Sequence, residues 1–106
     1  MIKSKISGVG YYVPENIVKN SDIEEMMDTS DQWIRERTGI EERRWVNDDK
    51  LSTSLMGTYA SEAAIKDAGI DKNDIDFIIF STLSPDYYFP GSGVLLQRNL
   101  KIKEVG

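Results

Sequence analysis

The chain has 106 residues, 40% hydrophobic and 29% charged, with a formal net charge of −5 and neither cysteine nor histidine. That balance reads as globular, excludes disulfides and Cys-based metal sites within the chain, and lacks the basic face that general nucleic-acid binding requires. No apolar run approaches the ~20 residues of a membrane span and the N-terminus has no signal-peptide h-region, so no membrane partner, no metal and a cytoplasmic location are the expectations.

In chain order, "IKSKISGVGYYV" alternates apolar positions up to Pro14 and predicts a strand. Gly8 and Gly10 share one face of it, where another backbone is expected to approach closely. "NSDIEEMMD" carries Ser21 and Glu24 in capping-box spacing, which predicts a short helix from Asp22 to about Met27. "DTSDQWIRERTG" repeats the pattern, with Thr29 as cap, Gln32 at the third helical position and Gly39 as left-handed stop. "IEERRWV" reads as a strand with charge on both faces, suited to an exposed arm or a sheet edge.

A loop, "NDDKLSTS", leads into a predicted helix from Thr53 to Ala68. Its stripe is Leu55, Met56, Tyr59, Ala60 and Ala63, its alanines allow close packing, and Gly69 ends it. After "IDKND" comes "IDFIIFST", a continuous apolar run of the kind buried on both faces of a parallel sheet. "LSPDYYFPGSG" is a long loop, and "SGVLLQRNL" begins another helix.

The alternation of strands and helices gives an α/β fold class. The apolar run needs parallel neighbours and helices on both sides, more than 106 residues supply, so the chain is expected to be the first part of a larger domain. A compact stand-alone α/β domain is the alternative. Three tempting motifs fail. "GVG" has no third glycine and meets Pro14 where a helix should run. "DKNDID" puts Ile75 and Asp76 where a calcium loop needs a ligand and a glycine. Paired acids such as Glu41/Glu42 and Asp48/Asp49 fit solvated faces.

Four of the five arginines and both tryptophans fall within residues 30–45. Trp33 and Arg37 are four apart on the predicted helix and share a face. Asp31 and Arg35 form a second such pair, so Arg35 has a local partner and Arg37 has the indole alone. A flat ring beside a free guanidinium suits a ligand with a π-system and a phosphate, and Thr29 adds a hydroxyl at the start of the same helix. The plainer readings are a surface cation–π staple and a half-buried tryptophan. Arg43 and Arg44, flanked by Glu41 and Glu42, read mostly as solvating charges.

"DTSDQWIRERTGIEERR" resembles the N-terminal signature of β-ketoacyl-acyl-carrier-protein synthase III, a condensing enzyme of the thiolase fold. "GVGYYVPENIVKNSDIEEMM", "AIKDAGIDKNDIDFIIFST" and "FPGSGVLLQ" follow the same family's order. The resemblance implies an incomplete, N-terminal part of a thiolase-like α/β fold over residues 1–106, a mixed and mostly parallel sheet packed between helices. It implies condensation of an acyl-coenzyme A primer with malonyl-acyl-carrier protein by a homodimer. No covalently bound cofactor is expected, only the coenzyme A moiety of the substrate. It further implies that the adenine stacks on Trp33, with Arg37 and Thr29 against the nucleotide. Phe89 would reach towards the partner subunit's acyl pocket, ordinary loop packing being the alternative. The family's cysteine, histidine and asparagine have no counterpart in this chain. None of its residues is therefore assigned a catalytic role, and the chain alone is expected to be inactive. Condensing enzymes of secondary metabolism share parts of the pattern, and a non-catalytic nucleotide- or partner-binding α/β protein remains the reading from another class.

Overall fold

The computed structural model describes residues 1–103 and divides the chain into two compact units. One unit joins residues 1–12 to the chain from Lys50 onward, and the other comprises Val13–Asp49.

In the Val13–Asp49 unit, β1 (Ile17–Lys19) pairs antiparallel with β2 (Glu42–Arg44), in the register Ile17 with Arg44 and Lys19 with Glu42. The charged strand therefore exists, shorter than its sequence pattern, as half of a two-stranded ribbon. Between the strands run α1 (Asn20–Met26) and α2 (Asp31–Thr38). The caps differ from those the sequence suggested. Asp22 accepts the Lys19 N–H at 2.7 Å, and Glu24 reaches across the turn to accept the Asp31 N–H at 2.5 Å. Ser30, not Thr29, caps α2, its hydroxyl accepting from the Trp33 N–H at 3.1 Å. Capping is decided by which oxygen the turn aims at the free N–H groups, and adjacent hydroxyls compete for it. Gly39 ends α2 at φ 70°, as expected.

In the other unit, α3 (Thr53–Ala68) has the bounds read from the sequence. Residues 2–13, expected as a strand, are assigned no strand; the chain enters its first strand only after Pro14. Their packing follows the glycine argument nonetheless. A Cβ on Gly8 would lie 2.5 Å from the Ala64 carbonyl oxygen, and one on Gly10 would lie 2.5 Å from that of Ala60. The extended backbone and the alanine face of α3 are thus in direct contact, fastened by the Val9 N–H donating to Asp67 at 3.0 Å.

Residues 75–82 also differ from expectation. Ile75, Ile78 and Phe80 pack on the buried trio Leu96, Leu100 and Ile102, whereas Phe77 and Ile79 stand 67% and 86% exposed. Only one face is covered, and the segment has no ladder partner among the described residues, so it is extended without being a strand. Helix α4 (Ser92–Leu100) supplies two of the three buried residues by i, i+4 spacing. The buried positions of α3 are Ser54 and Thr58 rather than the apolar stripe, in which Tyr59 is exposed and meets the Tyr12 ring at 4.9 Å between centroids, the planes tilted by 53°. The turn at Lys72–Asp74 explains the calcium-like acids. The Asp71 carboxylate accepts from the Asn73 N–H at 2.8 Å, and that of Asp74 accepts from the Asp71 N–H at 3.1 Å. Among the described residues no helix is long and apolar enough to cross a membrane.

Candidate functional site

Helix α2 is eight residues long and buries none of them. Its pose is set at both ends by one side chain. Asn20, 1% exposed, donates to the Asp31 carboxylate and to the Ile40 carbonyl, both at 2.8 Å, gripping the residues that open and follow the helix. Its side-chain oxygen accepts from Arg43 at 2.7 Å, and Arg43 also donates to the Val18 carbonyl at 3.3 Å. Arg44 donates to the Pro14 carbonyl at 3.1 Å. These two guanidinium groups are therefore structural, contrary to the reading of them as solvating charges. The reason is steric: β2 is one strand of a narrow ribbon, and long side chains fold back over its partner. No sequence signal marked Asn20 as a hub, because asparagine before a helix is an ordinary capping residue.

The cations of α2 take different partners. Arg35 pairs with Asp31 at 3.1 Å, as the i, i+4 spacing predicted, and lies 3.7 Å from Glu41. Arg37 has no carboxylate partner among the described residues. Its guanidinium carbon sits 5.7 Å from the centroid of the Trp33 ring, inside cation–π range. Trp33 is 54% exposed, so about half of its surface stays open to solvent, which leaves room for a surface staple or a ligand platform. Beside the indole opens a pocket of about 490 Å³ walled by Met27, Asp28, Thr29, Ser30 and Trp33. The structure thus brings Thr29, Trp33 and Arg37 to one side of one unit. An apolar plate, a hydroxyl and an unneutralised, fork-shaped cation can hold an aromatic base and a phosphate together.

Phe89 lies in the other unit and is 91% exposed, so it does not pack beneath its own loop. The same unit contains an apolar groove of about 450 Å³ between α3, α4 and residues 75–81, floored by Ala60, Ala64, Ile78 and Leu96. Leu96, Leu100 and Ile102 of the buried cluster line it, and no charged side chain does.

No protein-family model matches the chain. A β-ketoacyl-acyl-carrier-protein synthase III from Chlamydia pneumoniae is 52% identical over 103 residues, which is 97% of this chain and 30% of the relative. Among solved structures, 3-oxoacyl-acyl-carrier-protein synthase III from Aquifex aeolicus VF5 superposes with a TM-score of 0.88 at 42% identity, covering 95% of this chain and 32% of that one. The priming β-ketosynthase of the R1128 polyketide pathway also superposes with a TM-score of 0.88, at 32% identity, over 96% of this chain and 30% of that one. The sequence is thus β-ketoacyl-acyl-carrier-protein synthase III-like over nearly its whole length, and its fold is that of part of a thiolase-like condensing enzyme. It spans about 30% of the length of the curated relatives it matches.

Proposed function

We propose that this chain is the coenzyme A-binding portion of a condensing enzyme that joins an acyl-coenzyme A primer to malonyl-acyl-carrier protein and so starts a fatty acid chain. One observation carries the reading: an exposed indole under a guanidinium that has no carboxylate partner among the described residues, next to a pocket that Thr29 helps wall. Residues 1–106 are read as the N-terminal part of the domain.

In this reading the adenine stacks on Trp33, Arg37 offers its N–H fork to phosphate oxygens, and Thr29 supplies a hydroxyl at the edge of the base. These contacts bind and orient the substrate. The acyl group leaves the coenzyme A sulfur for a thiol that the chain itself does not contain. That thiol, and the groups that assist malonyl decarboxylation, would come from sequence outside it. Phe89, exposed on its loop, is read as meeting the acyl end of the substrate across a homodimer interface. A cytoplasmic home fits such soluble substrates.

The test is condensation by the full-length protein. Acyl-coenzyme A and malonyl-acyl-carrier protein should yield a β-ketoacyl-acyl-carrier protein, carbon dioxide and free coenzyme A. Tight coenzyme A binding without any condensation would favour the non-catalytic alternative. The similarity to a polyketide-priming enzyme keeps a role in secondary metabolism as a second reading, separated from the first by which primer is used.

A further inference from the structure

Three consecutive aromatic residues, Tyr87, Tyr88 and Phe89, stand 63%, 98% and 91% exposed in the loop between residues 82 and 92. Exposed rings of this size gain by folding back onto any nearby apolar surface, so holding them in water requires an anchored backbone. The anchor is Asp86. Its carboxylate accepts from the Ser54 N–H at 2.8 Å and the Ser54 hydroxyl at 2.7 Å, in the first turn of α3. It also accepts from the hydroxyl of Ser92, the first residue of α4, at 2.8 Å, and returns its own N–H to that hydroxyl at 3.0 Å. Ser54 and Ser92 are each 3% exposed. Upstream, the Thr53 hydroxyl donates to the Ser84 carbonyl at 2.7 Å.

One carboxylate therefore ties the start of the aromatic run to its end and to two helix N-termini, where backbone N–H groups and dipoles favour negative charge. Desolvation pushes the Asp86 carboxyl up. The hydroxyls of Ser54, Ser92 and Ser52 and the Ser54 N–H outweigh it and hold the group at about 2, so the anchor is ionised at any physiological pH. The family resemblance pointed to Phe89; that Asp86 anchors the backbone on which Phe89 stands comes from the hydrogen bonds alone.

We infer that Asp86 is a positioning residue for primer selection: it clamps the two ends of the loop together and so fixes the place of the Tyr87–Phe89 rings against the acyl chain. The inference rests on the function proposed above, in which Phe89 meets the acyl end of the substrate. It is tested in the full-length enzyme by kcat/KM for acetyl-coenzyme A and for hexanoyl-coenzyme A, each with malonyl-acyl-carrier protein. Asp86→Asn shifts the ratio of the two values by on the order of tenfold, the scale of discrimination a reshaped apolar pocket gives. Coenzyme A affinity stays unchanged. The shift disappears when Asp86→Asn is placed in a Phe89→Ala background, because the effect travels through that ring. A purely structural aspartate would lower both rates together by loss of folded enzyme, and an unchanged ratio overturns the inference. If Asp86→Asn yields no folded protein, Ser92→Ala, which removes one donor and leaves the charge, is read by the same ratio and the same criterion. A wild-type enzyme that condenses neither primer sinks the proposed function and this inference with it. An active wild type with an unmoved ratio sinks the inference alone.

Discussion

The guanidinium of Arg43 donates to the side-chain oxygen of Asn20 at 2.7 Å, joining a strand residue to the most deeply buried side chain described. Both amide hydrogens of Asn20 are also used, on Asp31 and Ile40, so removing this one side chain deletes three hydrogen bonds, while Asp31 keeps Arg35 and Arg43 keeps the Val18 carbonyl. Asn20→Ala should therefore cost about 2–3 kcal/mol, more than a surface cap, since three side-chain hydrogen bonds are lost at once and two of them involve charged groups. Urea denaturation of the full-length protein measures it. A loss near that of an ordinary surface substitution would show that water replaces the amide.

Trp33→Ala and Arg37→Ala should each weaken coenzyme A binding by about 1–3 kcal/mol, the range for losing a stacking face or a charged hydrogen bond. Arg37→Lys should recover only part of the loss, because an ammonium lacks the planar fork. Calorimetric titration with coenzyme A reads all three, and unchanged affinity in both alanine variants removes the pair from the site.

Gly10→Ala should destabilise the protein by about 1–3 kcal/mol, the cost of forcing an added methyl into a packed contact. The new Cβ would meet the Ala60 carbonyl oxygen at 2.5 Å, a backbone atom that cannot swing away. Thermal unfolding gives the answer. Gly39→Ala makes a useful contrast: nothing lies near its Cβ, and its cost comes from φ 70° alone.

Asp86 sets an acid limb. Its folded pKa of about 2 lies below the ordinary value of 3.8, so its contribution is fully present above about pH 4 and drains away as pH falls towards 2. In Asp86→Asn the stability-versus-pH curve should be flatter between those limits and unchanged in slope from pH 5 to 8. Denaturant midpoints collected across pH 2 to 8 test this, and a parallel, merely displaced curve would mean the carboxylate is not the titrating group.

The local signals in the sequence were good where the physics is local. Helix α3 has the bounds its alanine-rich pattern and Gly69 indicated, and the Asp31–Arg35 pair follows from i, i+4 geometry. Trp33 and Arg37 share a face for the same reason, and the close approach at Gly8 and Gly10 was legible because only glycine permits it. The apolar run at 75–82 was read as a central strand because hydrophobicity reports what a segment can bury, not whether a ladder partner is present. Among the described residues it covers one face only.

What the chain's order of residues determined by itself was helix positions, the shared face of the indole and the guanidinium, and the kinship of the whole. These depend on spacing and on steric rules within a few residues. Only the tertiary structure decided that Ser30 caps α2, that Asn20 holds it by both ends, that Arg43 and Arg44 serve the backbone, and that Asp86 joins two helices. All but the Ser30 cap depend on which polar atom finds a part-buried partner more than ten residues away. Many donors and acceptors of equal chemical merit compete for that place, and folding selects one of them by geometry.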